Sequence, residues 1–110
     1  MSIVIANNLQ GPLPLTIPFT APIDGPVTLA FSATAWSQTT NTIIGVAVWL
    51  DSVLLGTTFI YSNGTGEHRT LPTQFFMPTL MDGPHKITLQ AANGATVTDS
   101  NDFFSLWIID

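Results

Sequence analysis

The sequence predicts a single all-β domain, built as a sandwich or a barrel. Apolar and polar residues alternate over most of the chain, which is the period of a half-buried strand. Short segments with this period are separated by turns rich in glycine, proline and asparagine, and none shows the 3.6-residue period of a capped helix. A chain of 110 residues can bury one core, so residues 1–110 are expected to form one domain.

The opening of the chain should lie at the margin of this domain. Pro12, Pro14 and Pro18 crowd the region, and proline cannot donate a hydrogen bond to a sheet ladder. Residues 1–20 are therefore expected to form an edge strand or an extended arm, and residues 26–110 the body of the sandwich.

The strands of the body follow in order. Residues 27–36 alternate with one wet side, because Thr28, Ser32 and Thr34 share a face. Residues 43–50 are apolar on both faces, which is typical of a strand at the centre of a sheet or at an interface. Further strands are predicted in segments 53–61, 68–77 and 85–92.

The turns between these strands have a clear sequence signature. Asp24-Gly25-Pro26 and Asp82-Gly83-Pro84 each combine an aspartate that bonds the local backbone, a glycine free to take positive φ, and a proline of fixed φ. Asn93-Gly94 is the strongest short hairpin signal in the chain, and it predicts a two-stranded hairpin around it.

The last strand is apolar on both sides. Phe103, Ser105, Trp107 and Ile109 face one way, and Phe104, Leu106 and Ile108 face the other. Because a strand of a two-layer sandwich normally has one polar face, the second apolar face predicts self-association. The alternative is a monomer in which the amino-terminal arm folds over that face.

Composition excludes several classes of function. The formal charge is -5 and the strong cations are Arg69 and Lys86, so a nucleic-acid-binding surface is not expected. No apolar run reaches the roughly 18 residues that membrane insertion needs. The opening residues lack the charge and apolar length of a classical signal peptide, so cell-surface display or secretion would use another route. With no cysteine, thiol catalysis is excluded.

Catalysis finds little support in the sequence. His68 and His85 each begin a predicted strand, and neither belongs to a metal-ligand spacing or a nucleophile motif, so structural roles are expected for both. An enzyme is not expected, and no cofactor or metal is assigned.

The segment 98–102 has three interpretations. Asp99, Asn101 and Asp102 could simply cap the turn before the last strand. They could also ligate calcium, although the segment lacks the loop length and the distal glutamate of an EF-hand. The third interpretation is direct contact between Asp99 and a ligand.

The segment 59–72 places groups suited to a sugar on either side of a glycine-rich loop. Tyr61 offers a flat apolar face, Ser62 a hydroxyl, and Arg69 a rigid fork of donors. The alternative is a solvated hairpin tip in which Arg69 pairs with Glu67.

These residues resemble a known family. The order of strands, the aromatic last strand and the loop residues look like the jelly roll of tumour necrosis factor-like and complement-globular-head-like trimers. Within that class the sequence most resembles the small bacterial tumour necrosis factor-like lectins that bind fucosylated glycans. The resemblance assigns sugar binding to Tyr61, Ser62 and Arg69 on one side and to Asp99 and Ser100 on the other.

The resemblance implies a homotrimer with sites between neighbouring protomers. The sequence departs from the family in one respect, because a second arginine expected shortly before the Asp-Ser pair is missing from residues 91–98. The predicted function is a metal-free lectin for neutral glycans, fucosylated ones among them. The alternatives are a structural trimerisation module without a ligand and a calcium-dependent adhesion module.

Overall fold

A computed structural model describes residues 2–109 of the chain, and all regular secondary structure in that range is β. No helix in this range is long and apolar enough to cross a membrane. The strands are β1 (Ser2–Gln10), β2 (Leu15–Ala21), β3 (Gly25–Pro26), β4 (Thr28–Ala35), β5 (Thr42–Leu50), β6 (Val53–Ser62), β7 (Arg69–Thr70), β8 (Gln74–Phe76), β9 (Thr79–Leu80), β10 (Gly83–Ala91) and β11 (Phe103–Ile109).

The strands form two antiparallel sheets and one short ladder. The first sheet has the order β1-β11-β4-β7, with β8 also paired to β4, and the second has the order β2-β10-β5-β6. Strands β3 and β9 pair with each other. The first two strands, β1 and β2, lie at the edges of different sheets, and β10 and β11 pair with them. The fold is a jelly-roll β-sandwich, as the sequence predicted.

The core lies between the inner faces of the two sheets. The alternation predicted for residues 27–36 and for the last strand is confirmed, since Leu29, Phe31, Phe104 and Leu106 are all at most 2% exposed. The second sheet contributes the inner face of β5, which includes Val46. Each large apolar side chain buried in this way stabilises the fold by about 1.5–3 kcal/mol.

The outer face of the first sheet is apolar and partly open in the single chain. Val4, Trp107, Ala30 and Phe75 pair in one row across it. Val4 is 66% exposed and Phe75 is 58% exposed. Strand β1 extends the sheet beside β11 and does not fold over it, so the arm does not seal this face.

The two Asp-Gly-Pro turns form as the sequence predicted. Gly25 and Gly83 have φ of 128° and 106°, values that favour glycine. The turns also bond to each other, because the Asp24 carboxylate accepts the backbone N–H of Asp82 at 2.7 Å.

Two local predictions differ from the structure. No hairpin forms around Asn93-Gly94, because β10 pairs with β2 and β5, and the following segment crosses to bridge Trp36 through Val97. The strand predicted in 68–77 is split into β7 and β8. At Asn93-Gly94 long-range pairing outweighs the local signal. In 68–77 both pieces pair with β4, and the interruption at residues 71–73 contains Pro72, which has no N–H to donate to the ladder.

Candidate functional site

Four loops meet at one end of the sandwich, which we call the loop end. Hydrogen bonds tie them together: Gly11 donates to the Asp102 carbonyl at 2.9 Å, and Gly66 donates to the Ser37 carbonyl at 2.8 Å. Trp36 and Val97 exchange two further bonds. The loops are residues 11–14, 36–41, 63–68 and 92–102.

Asp102 is the centre of this end. Its side chain is fully buried, and each carboxylate oxygen accepts hydrogen bonds from a different part of the chain. Oδ1 accepts from the Thr34 hydroxyl and from Nδ1 of His68, both at 2.8 Å. Oδ2 accepts from the backbone N–H of Asp99 at 2.9 Å. One buried acceptor therefore positions β4, the loop 63–68 and the loop 92–102 relative to one another.

His68 lies at the surface side of Asp102. Its ring packs at a tilt on Trp36, with centroids 5.9 Å apart, and its Nε2 lies 3.8 Å from Oδ2 of Asp99. The hydrogen bond to Asp102 raises the pKa of His68 above its usual value, and the negative charges of Asp102 and Asp99 add to that effect against a smaller desolvation cost. The side chain is 35% exposed, so solvent or a ligand can reach it.

Asp99 and Ser100 lie on the open side of the same loop. Asp99 caps the turn, since its Oδ1 accepts the backbone N–H of Asn101 at 2.8 Å, and its side chain is 41% exposed. Ser100 is exposed, and its carbonyl accepts from the Gln10 side chain at 3.1 Å. The interpretation of this segment as a capped turn describes its geometry, and Oδ2 of Asp99 still faces His68.

Arg69 follows His68 directly and belongs to β7, which pairs with β4. Its Nη2 lies 3.6 Å from the Glu67 carboxylate, and the two side chains are 32% and 63% exposed. This is the ion pair of the hairpin-tip alternative. Exposed pairs of this kind contribute only about 0–1 kcal/mol, so the pair would offer little resistance to a ligand that needs the arginine fork.

Tyr61 and Ser62 point to opposite sides of β6. Tyr61 is 54% exposed on the outer face, whereas Ser62 is 1% exposed and its hydroxyl donates to the Gly64 carbonyl at 3.3 Å. Successive side chains of a strand alternate between faces, so these two neighbours cannot both reach one ligand from a regular strand. In the single chain Ser62 holds the loop 63–68 and is not presented to solvent.

The structure thus brings together the segments that carry Arg69 and Asp99, through His68. Sequence reasoning missed His68 as a member of the site, and it considered Asp102 only as a turn cap or a calcium ligand. The signal was present as a histidine beside the arginine, but His68 and Asp102 are 34 positions apart, and the sequence does not show that they pair.

The acidic groups at this end fit calcium poorly. One ligand atom from each of His68, Asp99 and Asp102 lies within 4.8 Å of the others. The Asp102 carboxylate, however, already accepts three hydrogen bonds and points into the protein. A cation there would have to displace those donors.

An open groove is lined in part by the loop 92–102. It has a volume of about 460 Å³, and one of its lining residues, Thr98, directly precedes Asp99 in the chain. Its lining residues are Leu13, Pro14, Gln90, Ala91, Thr96, Val97 and Thr98.

Comparison with known proteins gives structural likeness only. No family model matches the chain, and no curated protein sequence matches it. Among solved structures, the chain is similar to the globular domain of zebrafish complement 1qA protein, with a TM-score of 0.61 and 14% identity, over 98% of this chain and 93% of that one.

Three other structures share the fold. The tripod of the bacteriophage Tuc2009 baseplate has a TM-score of 0.61 at 17% identity over 97% of this chain. Dimeric latent PorU from Porphyromonas gingivalis has 0.62 at 9% over 99%. A family 35 carbohydrate-binding module from Clostridium thermocellum has 0.52 at 12%, over 99% of this chain and 88% of that one. The chain spans only 12% of the PorU chain and 62% of the phage chain.

Proposed function

We propose that this chain is a carbohydrate-binding jelly-roll domain that assembles as a homotrimer and binds neutral glycans, fucosylated ones among them, at the loop end. The observation that carries the proposal is the approach of His68 Nε2 to Asp99 Oδ2 at 3.8 Å. It brings the segment with the arginine fork beside an exposed carboxylate. Paired donors and acceptors of this kind suit the hydroxyls of a sugar.

Each residue has a role in this proposal, which is one of binding without chemical turnover. Arg69 and Asp99 hold hydroxyls by charge-assisted hydrogen bonds, and Ser100 adds an exposed hydroxyl. Tyr61 offers an apolar ring to the C–H face of a sugar that is bound between this protomer and its neighbour. Ser62 acts through its bond to Gly64, which shapes the loop between Tyr61 and Arg69.

Trimer formation is supported by the outer face of the first sheet. Val4, Phe75, Phe103 and Ile109 are 39–66% exposed there, and a second copy would bury them. Apolar patches of this kind mark interaction sites on soluble proteins. Three weak sites on one assembly would then bind a glycan surface with gain in avidity. The likeness to a complement globular domain and to a phage tripod favours the same arrangement.

The likeness to a carbohydrate-binding module supports a sugar ligand for this fold. A glycan array probed with and without a chelator tests it. We expect binding to neutral glycans that the chelator does not change. Arg69→Ala should abolish binding, while Lys86→Ala, which removes the other strong cation, should leave it intact. Equal binding by wild type and Arg69→Ala would refute the site.

A structural trimerisation module is the second candidate. The exposed apolar face on the first sheet favours it, since that face needs a partner whether or not a sugar binds. Sedimentation equilibrium at micromolar concentration should show a trimer in both cases. A trimer that binds no glycan on the array would identify this second function, whereas chelator-sensitive binding would identify a calcium-dependent adhesion module.

A further inference from the structure

The two ring nitrogens of His68 have different surroundings. Nδ1 is 2.8 Å from the buried Asp102 carboxylate, on the protein side of the ring. Nε2 faces the open side, where Asp99 Oδ2 lies 3.8 Å away, beyond hydrogen-bond length. Trp36 packs against the ring. The ring is therefore held at one nitrogen and presented at the other.

Asp102 determines which nitrogen carries the proton in neutral His68. An ionised carboxylate only accepts hydrogen bonds, so Nδ1 must be the donor and Nε2 carries a lone pair. When the ring is protonated, Nε2 becomes a donor and is drawn to Asp99. The charged groups that face the ring are Asp102 and Asp99, both from the loop 92–102. The chain neighbours of His68, Glu67 and Arg69, pair with each other.

We propose that His68 is a ligand-contacting residue of the glycan site, in which its Nε2 and the Asp99 carboxylate accept hydrogen bonds from two neighbouring hydroxyls of one sugar. This inference rests on the proposed function. Asp102 is the positioning residue, because one buried carboxylate orients the His68 ring and, through the backbone N–H of Asp99, the second acceptor as well.

The gap between the two acceptors suits a hydroxyl-bearing ligand. At 3.8 Å the pair makes no direct hydrogen bond, so each atom keeps the capacity to accept from a ligand. A hydroxyl group donates one hydrogen bond and accepts others, and it carries no negative charge that the Asp99 carboxylate would repel. The pair therefore selects a neutral diol over an anionic ligand.

Two substitutions separate the two nitrogens of His68. In His68→Asn, the shorter amide can still donate to Asp102 from the position of Nδ1, but nothing replaces Nε2. In His68→Gln, the longer amide reaches the position of Nε2 and loses the bond to Asp102. His85→Asn and His85→Gln are the matched controls, since His85 also donates from Nδ1 to a carboxylate at 2.8 Å.

Affinity is measured by calorimetry for a neutral glycan that the array selects. We expect His68→Asn to bind about tenfold more weakly than wild type, equivalent to roughly 1.4 kcal/mol, with unchanged denaturation midpoint. His68→Gln should recover part of that affinity, and the His85 variants should bind like wild type. Wild-type affinity in His68→Asn would overturn the inference.

The pH profile provides a readout that a purely structural histidine would not move. Protonated His68 turns its Nε2 donor to Asp99 and competes with the sugar, so affinity should fall as pH drops through the His68 titration followed by NMR. The fall should be absent in His68→Asn. A pH-independent affinity in wild type would also overturn the inference.

The two proposals fail in different ways. If Arg69→Ala loses binding and His68→Asn does not, the glycan site stands and only the role of His68 is wrong. If wild type binds no glycan on the array, the proposed function fails and the inference fails with it.

Discussion

The chain contains two histidine–aspartate pairs at opposite ends of the sandwich, and they differ in the hydrogen bonding of the histidine Nε2. His68 pairs with Asp102 and His85 with Asp51, each from Nδ1 at 2.8 Å and each across 34 residues of sequence. Nε2 of His85 donates to the Met81 carbonyl at 2.6 Å. Nε2 of His68 has no hydrogen bond within residues 2–109, and lies 3.8 Å from a carboxylate.

The surroundings of the two rings follow the same division. His85 stacks on Phe19, with centroids 5.6 Å apart, and its side chain is 13% exposed. The His68 side chain is 35% exposed. The exposure of the two carboxylates is the other way round, since Asp51 is 49% exposed and Asp102 is fully buried.

A histidine–carboxylate pair therefore does not define a function by itself. At the His85 end both ring nitrogens are used within the protein, so the pair joins a turn to a strand. At the loop end, Nδ1 of His68 is hydrogen-bonded within the protein, whereas Nε2 is available to a ligand. Strand β6, ten residues or roughly 30 Å long, separates the two ends, so each can be altered without touching the other.

The largest difference between the pairs should appear when the carboxylates are removed. Asp102→Ala leaves three partly buried donors without their acceptor and should lower the free energy of unfolding by about 3 kcal/mol. Asp51→Ala removes a half-exposed group and should cost less than about 1 kcal/mol. Chemical denaturation of both variants measures this. Equal losses would show that burial does not distinguish the pairs.

The pH dependence of stability should reveal the His85 pair next. The Met81 carbonyl and Asp51 raise the pKa of His85 above its usual 6.5, and the His85 hydrogen bond lowers the pKa of Asp51 below its usual 3.8. Stabilisation by His85 is complete below pH 6.5 and is lost as pH rises through the raised value. Stabilisation by Asp51 is complete above pH 3.8 and is lost as pH falls through the lowered value.

The unfolding free energies of wild type and His85→Phe should therefore differ most between about pH 4 and pH 6.5, by about 1 kcal/mol. The difference should shrink at pH 9. Denaturation at several pH values checks this, with Lys86→Ala as the control for a change of charge. A constant difference across the range would contradict an imidazolium at this position.

A smaller effect is expected from Thr34, which supports Asp102 from β4. Its hydroxyl donates to Oδ1 of Asp102 and accepts the backbone N–H of Phe103 at 3.1 Å. Thr34→Val keeps the shape and should cost about 1 kcal/mol of stability. Thr28→Val, on the same face of β4, is the control. A loss as large as that of Asp102→Ala would make Thr34 the centre of the network instead.

The finest test needs no substitution. In neutral His68 the proton should reside on Nδ1 and leave Nε2 bare, whereas in His85 both nitrogens donate within the protein and should stay protonated above the usual pKa of 6.5. Ring ¹⁵N chemical shifts followed through a titration distinguish these states. A bare Nδ1 in His68 would show that Asp102 does not set its tautomer.

Much of the fold was predictable because it depends on local chemistry. The alternation in residues 27–36 and 103–109 identifies strands and their buried faces, and positive φ at Gly25 and Gly83 follows from their turns. The Asn93-Gly94 hairpin failed because the same short-range signal has to compete with the partners β2 and β5, which are distant in sequence.

The candidate site was predictable only in part. Arg69, Asp99 and Ser100 are residue types suited to sugar, and the sequence with its family resemblance made them candidates; their role in binding stays a prediction. Their neighbours were another matter: strand alternation turns Ser62 inward, and the fold brings His68 to a buried carboxylate. Spacing along the chain shows neither effect.

The sequence by itself determined that this is a β-sandwich with an apolar last strand, because side-chain period and turn chemistry act over a few residues. Only the tertiary structure decided which histidine has both ring nitrogens hydrogen-bonded within the protein and which leaves Nε2 available to a ligand. That distinction depends on whether a carbonyl such as that of Met81 lies within reach of Nε2, and packing between distant segments alone sets such a distance.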